Sequence, residues 1–251
     1  MKHAGLVVCV LALVSFVCTC LQADPRWWWD DAPLSSVVPS EEIADVDIDV
    51  VYAYAGNALG AFFVAWIVPP QGPAQGSLWL TASFNGGCSF CEPVRVAEVN
   101  GPDATNVSLA VAGNMLFFYT IQIAYQENGN IRIAYDIDTV PDDSDPSSHD
   151  IKCQALQEVA SNRKFYTANA FAGTASKPDI TGDVLPGRFT HFYVVWQDDR
   201  FDSTTEVMFA RDLTGLGNWE PEQFLTNAVP VPHFFFEPLG ENVSPESRLL
   251  R

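Results

Sequence analysis

Two cysteines at Cys-x-x-Cys spacing are the residues of this chain whose types and spacing most directly suggest chemistry. Cys88 and Cys91 stand in "FNGGCSFCEPVRV", residues 84–96. Such a pair serves a zinc site, a redox centre or a structural disulfide. A closed zinc site needs about four ligands, and the remaining candidates form no second paired motif: Cys153, His149, His191 and His233. A thioredoxin-like role needs a helix after the motif to lower the thiol pKa, whereas "EPVRV" predicts a strand.

Acidic residues form a second group that could do chemistry, by binding calcium. The stretch "DIDTVPDDSDPSSHD" places five aspartates in and beside one predicted turn: Asp136, Asp138, Asp142, Asp143 and Asp145. Calcium takes about six to eight oxygen ligands, and Asp-x-Asp spacing supplies several of them. The loop lacks the glycine and the terminal glutamate of an EF-hand. It is therefore either a calcium site of another kind or a flexible acidic insertion, and no other cofactor is expected.

Motifs that would identify an enzyme are absent from the sequence. It has no Gly-x-Ser-x-Gly, no His-Glu-x-x-His and no glycine-rich phosphate-binding loop. A glycosidase would need only two carboxylates flanking the bond, but the 31 acidic residues do not identify a pair. The densest cluster, Asp198, Asp199 and Asp202, is predicted to be a solvated hairpin turn.

The charge of the chain limits its partners. The formal net charge is −18, so the chain should repel nucleic acid, which requires a basic surface. Salt screens charges beyond about 10 Å, so a local arginine cluster could still hold an anion.

Residues 1–23 have the pattern of a secretory signal peptide: Lys2, an apolar run and the small-residue end "LQA". We therefore expect an exported protein, periplasmic or extracellular. The mature chain would have no membrane span, and its cysteines would be Cys88, Cys91 and Cys153.

The elements that position these residues form three repeats, each with about four predicted strands. Alternating apolar residues mark the strands, and Gly, Asn and Asp mark the turns. Equivalent aromatic residues stand at Trp66, Tyr125 and Trp196. Asp45, Asp47 and Asp49 alternate along the first strand, so they should share a solvent-facing side. In the second repeat "IKCQALQEV", residues 151–159, stands where the last strand is expected.

The predicted organisation is a signal peptide, an extension, three blades and a tail. The extension is Trp-rich and covers 24–40; the blades cover 41–100, 101–162 and 163–227; the tail covers 228–251. About four strands in 50–60 residues is the size of one blade of a β-propeller.

Two turns between the third and fourth predicted strands share one pattern of residues: Ser83, Asn85, Gly87 and Phe90 in the first repeat, and Asp212, Thr214, Leu216 and Trp219 in the third. The repeats and these turns resemble those of sialidase-type β-propellers, in which this turn is an Asp box, Ser-x-Asp-x-Gly-x-x-Trp, here in degenerate form. The resemblance implies an all-β, sialidase-like propeller fold and a structural role for these residues. It also implies an arginine triad, but the aromatic-Arg-Ile-Pro motif of its first arginine is missing. No catalytic residue is carried over.

The resemblance places Cys88 and Cys91 inside one of these turns. In an oxidising compartment we expect a local Cys88–Cys91 disulfide. Cys91 and Cys153 would occupy equivalent outer positions on adjacent blades, roughly 20 Å apart, which exceeds the limit of about 7 Å for a bridge. Cys153 is therefore expected to be free.

Three blades form an incomplete propeller, since closed rings have about 4–8. The open ends could be covered by aromatic segments at the termini: Trp27, Trp28 and Trp29, and Phe234, Phe235 and Phe236. Alternatively, a homodimer would complete six blades. The sequence thus predicts an exported, non-catalytic module that binds a glycan or a protein, with a glycoside hydrolase active only in a closed ring as the alternative.

Overall fold

The described residues of the chain fold into three four-stranded antiparallel sheets and one helix. A computed structural model describes residues 43–51, 61–71, 75–87, 89–113, 118–141, 149–169, 173–184, 190–201 and 204–225. The prediction of an all-β chain with three four-stranded repeats is confirmed. Within these ranges, no helix has the length and apolar character needed to cross a bilayer.

In each sheet the strands pair in chain order, as in a meander. Sheet 1 contains β1 (Asp45–Val51), β2 (Ala61–Val68), β3 (Gly76–Ser83) and β4 (Val94–Val99). Sheet 2 contains β5 (Val107–Gly113), β6 (Phe118–Glu127), β7 (Asn130–Pro141) and β8 (Lys164–Thr167). Sheet 3 contains β9 (Ala175–Val184), β10 (Thr190–Phe201), β11 (Thr204–Asp212) and β12 (Gln223–Phe224).

The alternation of apolar residues along the strands builds one core between sheets 1 and 2 and another between sheets 2 and 3. In the first core, Phe63 makes edge-to-face contacts with Phe84 and Tyr119, with ring centroids 5.6 and 5.4 Å apart. In the second, Phe192 and Trp196 are fully buried. Each sheet therefore buries a face against its neighbour in sequence, as the repeat pattern predicts.

Trp66, Tyr125 and Trp196 are all buried, with 2%, 2% and 1% of their surface exposed. Each lies on the second strand of its sheet. Their equivalence, which the repeats predict, holds in the structure.

The alternating aspartates of β1 do not face solvent as predicted. Oδ2 of Asp45, Asp47 and Asp49 accepts the backbone N–H of Val107, Leu109 and Val111 on β5, at 3.0, 2.8 and 2.7 Å. These N–H groups point away from β6 and would otherwise be unpaired at the edge of sheet 2. This aspartate ladder therefore joins the first strands of sheets 1 and 2.

The last strand of the second repeat is not where it was predicted. Residues 151–159 lie within a helix, α1 (His149–Ser161), whose buried residues Lys152, Leu156 and Ala160 recur at the four-residue spacing of one helical face. Alanine, leucine, glutamine and glutamate favour the helix. The fourth strand of sheet 2 is β8, so this sheet ends at Thr167, whereas the second repeat was predicted to end at residue 162.

Several predicted features lie outside the described residues. They are the signal peptide 1–23, the extension 24–40 with its three tryptophans, the tail 228–251 with its three phenylalanines, Cys88, Asp142, Asp143, Asp145 and Asp202.

Candidate functional site

A cleft lined by three arginines lies between sheets 1 and 2 and has a volume of about 430 Å³. Arg95 is on β4 of sheet 1, Arg132 is on β7 of sheet 2, and Arg163 directly precedes β8. The other lining residues are Ala97, Glu98, Asn100, Tyr125, Glu127 and Phe165. The arginine cleft thus gathers three guanidinium groups and two carboxylates in a chain whose net charge is −18.

An aromatic ring lies close to two of the guanidinium groups. The Cζ atoms of Arg132 and Arg163 lie 5.9 and 5.5 Å from the centroid of the Phe165 ring, within cation–π range. This ring is partly exposed, so it offers an apolar surface beside the two charges.

Neighbouring groups hold the arginines in place but use only part of their hydrogen-bonding capacity. Arg132 Nη1 donates to Thr167 Oγ1 at 2.8 Å, and Arg163 Nη1 donates to the carbonyl of Ser161 at 2.9 Å. The Nε atoms of Arg132 and Arg163 are buried and have no hydrogen-bond partner. An arginine carries about five N–H donors, so donors remain for an acceptor that enters the cleft.

The two carboxylates of the cleft are already engaged. Glu127 Oε1 accepts the backbone N–H and the side-chain amide of Asn100, at 2.8 and 3.2 Å, and its Oε2 lies 3.8 Å from Arg132 Nε. Glu98 Oε1 lies 3.2 Å from Arg95 Nη1. These carboxylates position their neighbours and leave the net charge of the lining groups positive.

Tyr125 lies at the buried side of the cleft. Burial raises the pKa of Tyr125 to about 12, and the charge of Glu127 adds to the rise, while Arg132 and Arg163 act in the opposite direction. The phenol is therefore neutral at physiological pH, which disfavours its use as a nucleophile. The cleft is chemically equipped to hold an anion with an apolar face.

The sequence did not reveal this cleft. Arg95, Arg132 and Arg163 are far apart in the chain, and no spacing rule connects them. The one signal in the sequence was that Arg95 and Arg132 are charged residues flanked by apolar residues in predicted strands of adjacent repeats. Salt screening allows a local arginine cluster in an acidic chain, but the net charge does not say where such a cluster lies.

The predicted turn of the first repeat is closed by its own side chains. The N–H of Gly87 donates to Ser83 Oγ at 2.9 Å, and Ser83 Oγ donates to Asn85 Oδ1 at 2.9 Å. Phe90 packs against a buried cluster on β2 that contains Trp66. In the structure these side chains contact their own turn and β2, and they lie outside the arginine cleft.

The turn of the third repeat uses a carboxylate for the same purpose. Asp212 accepts the N–H of Thr214 and of Gly217, at 2.9 and 2.7 Å, and Trp219 stacks on Tyr166 of sheet 2 with centroids 6.0 Å apart. Leu216 donates its N–H to Thr214 Oγ1 at 3.2 Å.

One backbone hydrogen bond recurs at the same place in both turns. Cys91 N–H donates to Ala82 O, and Glu220 N–H donates to Arg211 O, each at 2.8 Å. The two turns therefore share their closure as well as their position between the third and fourth strands.

The predicted cysteine pairing is wrong, because Cys91 is bonded to Cys153 and Cys153 is not free. The prediction took residues 151–159 as a strand at the outer edge of the neighbouring blade. In the structure they belong to α1, which packs against β4 and β7. The Cα atoms of Cys91 and Cys153 are 5.2 Å apart, well within the range for a bridge. Such a bond is typical of an oxidising compartment.

Among the five predicted calcium residues, Asp136 is the one whose side chain lies in the described part of the structure. Asp136 Oδ2 is 2.7 Å from Lys164 Nζ, an ion pair that links β7 to β8. Asp138 lies on β7 opposite Thr120, and the remaining three aspartates are outside the described ranges. The calcium site stays a prediction.

Comparison with known proteins does not place the chain in a family. No family model and no curated protein matches the chain. Among solved structures, a mutant of the Cellvibrio cellulosa alpha-L-arabinanase is similar, with a TM-score of 0.32 and 10% identity. The match covers 69% of this chain and 54% of that one, so the chain spans about half the length of that structure.

Proposed function

We propose that the chain is an exported, non-catalytic binding module that holds a carboxylate-bearing glycan in the arginine cleft. The observation that carries this proposal is the convergence of Arg95, Arg132 and Arg163 on one cleft in a strongly acidic chain. Guanidinium groups bind carboxylates through paired, charge-assisted hydrogen bonds. An acidic chain gains nothing in solubility from such a cluster, so anion binding is the use that this chemistry favours.

The aromatic side chains favour a sugar over a small inorganic anion. The partly exposed ring of Phe165 lies beside Arg132 and Arg163, and its exposed part offers an apolar surface to a pyranose ring. Amphipathic ligands of this kind need an apolar surface together with a few placed polar groups. The resemblance of the repeats to sialidase-type propellers points to the same class of ligand.

Export is supported by two features. Residues 1–23 have the layout of a signal peptide. The Cys91–Cys153 disulfide fits the oxidising environment to which such a peptide would direct the chain.

The absence of catalysis is supported by the state of the cleft's acids and of its tyrosine. A glycosidase uses one carboxyl as an acid and another as a base or nucleophile. Glu98 and Glu127 are both bound to neighbouring groups, and Tyr125 is held as a neutral phenol.

The ligand class is tested by calorimetric titration of the full chain with an oligogalacturonate, using the matched neutral oligogalactoside as the control. We expect binding of the acidic oligosaccharide only. Equal affinity for an acidic peptide of the same charge would contradict a glycan ligand and favour a protein partner. Release of new reducing ends during incubation would contradict a non-catalytic role and favour the hydrolase.

A further inference from the structure

A second cluster of functional side chains surrounds the disulfide and is separate from the arginine cleft. The ligating atoms of Cys91, His149 and Cys153 all lie within 4.8 Å of one another. We propose that these three residues form a zinc site when the disulfide is reduced, so that the chain alternates between a disulfide-bonded and a zinc-bound form.

The helix supplies two of the three ligands. His149 and Cys153 are four residues apart on α1, so their side chains lie on the same helical face. His149 Nε2 is 3.5 Å from Cys153 Sγ. A tetrahedral zinc with Zn–N and Zn–S bonds of about 2.0 and 2.3 Å separates these two atoms by roughly 3.5 Å. The histidine is therefore already at the distance from the sulfur that a shared metal requires.

The third ligand comes from the hairpin that closes sheet 1. The backbone of Cys91 is fixed on both sides, since its N–H donates to Ala82 O at 2.8 Å and its carbonyl accepts Thr81 Oγ1 at 2.7 Å. A rigid Cys91 facing a rigid helix gives a preorganised site. His149-x-x-x-Cys153 is therefore a second paired motif, contrary to the prediction that the chain has none.

The change of form balances as a thiol–disulfide exchange followed by metal binding. A dithiol reductant transfers two electrons and two protons, the Cys91–Cys153 bond breaks, and the reductant becomes a disulfide. Zn²⁺ then displaces the two thiol protons to solvent and binds both thiolates and the neutral imidazole. Cys153 is only half-buried, which gives a dithiol access to the bond.

Small side-chain movements complete the site. The two sulfurs must separate to roughly 3.8 Å, the edge of a zinc tetrahedron. His149 Nε2 must lose its contact with Ser89 Oγ, which is 3.1 Å away. His149 Nδ1 must lose its contact with the backbone N–H of Phe84, which is 3.4 Å away. The fourth position is open to water or another donor; Cys88 lies outside the described residues, so the site is defined by its three described ligands.

The test uses Co²⁺ as a spectroscopic probe for zinc, added to the full chain before and after reduction by a dithiol that is then removed. The reduced chain should bind one Co²⁺ with thiolate charge-transfer absorption and the intense visible bands of a tetrahedral site. Zn²⁺ should displace the cobalt and abolish these bands. The oxidised chain should show neither signal.

Variants separate the proposed ligands from incidental thiols. His149→Ala retains the disulfide for folding. Its reduced form should bind Zn²⁺ more than about 100-fold more weakly, since even residues that only support a ligand contribute about 10–100-fold. His191→Ala, which removes a histidine outside the cluster, should bind as the unmodified chain does. No tetrahedral cobalt signal in the reduced chain, or an unchanged signal in His149→Ala, would overturn the proposal.

Discussion

At the scale of single residues, Asp198 shows how neighbours decide the role of a charge. Its position in "QDDRFD" predicts a solvated turn, but its side chain is fully buried. It is bound by Arg200, whose Nε and Nη2 lie 2.9 and 2.5 Å from its carboxylate oxygens, and by Thr174 Oγ1 at 3.0 Å. Arg200 also donates to Glu222 at 2.6 Å. Asp198 is therefore part of a buried ion-pair network in sheet 3, whereas Asp199 is exposed, as the prediction of a solvated turn expects.

Removing the arginine should strongly destabilise the chain. Arg200→Met leaves the carboxylate of Asp198 buried without its counter-ion, which costs about 3–5 kcal/mol in free energy of unfolding. Urea denaturation at neutral pH measures this loss. Arg95→Gln breaks an exposed pair and should cost about 0–1 kcal/mol; equal losses in the two variants would contradict the structural role of Arg200.

The same network predicts a dependence of stability on pH. Burial would raise the pKa of Asp198, but hydrogen bonds from Arg200 and Thr174 outweigh burial and hold that pKa below its usual range. The contribution of Asp198 is therefore complete above the unfolded value of about 3.9 and is lost as the pH falls toward the folded value. Asp198→Asn should remove this part of the acid-side loss, which urea denaturation over a series of acidic pH values would measure. An unchanged slope below about pH 4 would show that Asp198 does not contribute to it.

At the scale of elements, the aspartate ladder explains why β1 alternates aspartate with apolar residues. Asp47 Oδ2 accepts the N–H of Leu109 and the hydroxyl of Ser108, at 2.8 and 3.2 Å, while its Oδ1 accepts the N–H of Ile48 at 2.8 Å. A period of two predicted that the three aspartates share one side of the strand, and they do. What lies opposite that side depends on the packing of the sheets, which a local pattern does not contain.

Loss of one rung of the ladder should be measurable. Asp47→Ala leaves the N–H of Leu109 without its partner, and we expect a loss of about 1–3 kcal/mol in free energy of unfolding. Asp183→Ala, an exposed aspartate on the first strand of sheet 3, is the matched control and should change stability by less than about 0.5 kcal/mol. If Asp47→Ala loses less than about 0.5 kcal/mol, water must replace Asp47 as the partner of the Leu109 N–H on β5.

Helix α1 and the Cys91–Cys153 disulfide are the two features at this scale that the sequence pattern did not predict. The apolar residues of 151–159 suit a strand or a helix over so short a stretch. The strand interpretation then placed Cys153 far from Cys91 and forced the wrong pairing. The burial of Lys152, Leu156 and Ala160 at four-residue spacing is known only from the structure, since Lys152 gives no apolar signal in the sequence. The position of the helix against β4 and β7 likewise depends on tertiary packing.

At the scale of the whole molecule, the three repeats were predictable because each sheet is built from neighbouring strands and short turns. The arginine cleft was not predictable, because its lining residues come from two different sheets and meet only when those sheets pack together. The first strands of the two outer sheets differ in the polarity of their exposed residues. In sheet 1, Val46 and Ile48 of β1 are 58% and 57% exposed. In sheet 3, the aspartates Asp179 and Asp183 of β9 are exposed. The equivalent residues on β5, Val107 and Leu109, are buried against sheet 1.

The homodimer that would complete six blades stays a prediction, and the exposed side of β1 is the surface we expect it to use. Light scattering after size exclusion should give twice the chain mass. Ile48→Asp should weaken association by at least about tenfold, whereas Ile151→Asp, which changes an exposed isoleucine on α1, should not. A monomer at all concentrations would contradict the dimer and favour the aromatic terminal segments as covers.

The most direct test of the proposed glycan site compares two arginines that differ in location but little else. Arg95 in the cleft and Arg211 outside it are both 42% exposed in their side chains, and each is paired with a glutamate. In calorimetric titration with an oligogalacturonate, Arg95→Gln should bind about 10–100-fold more weakly, which corresponds to about 1.5–3 kcal/mol for a hydrogen bond to a charged group. Arg211→Gln should bind as the unmodified chain does. Equal loss in both variants, or in neither, would contradict the arginine cleft as the binding site.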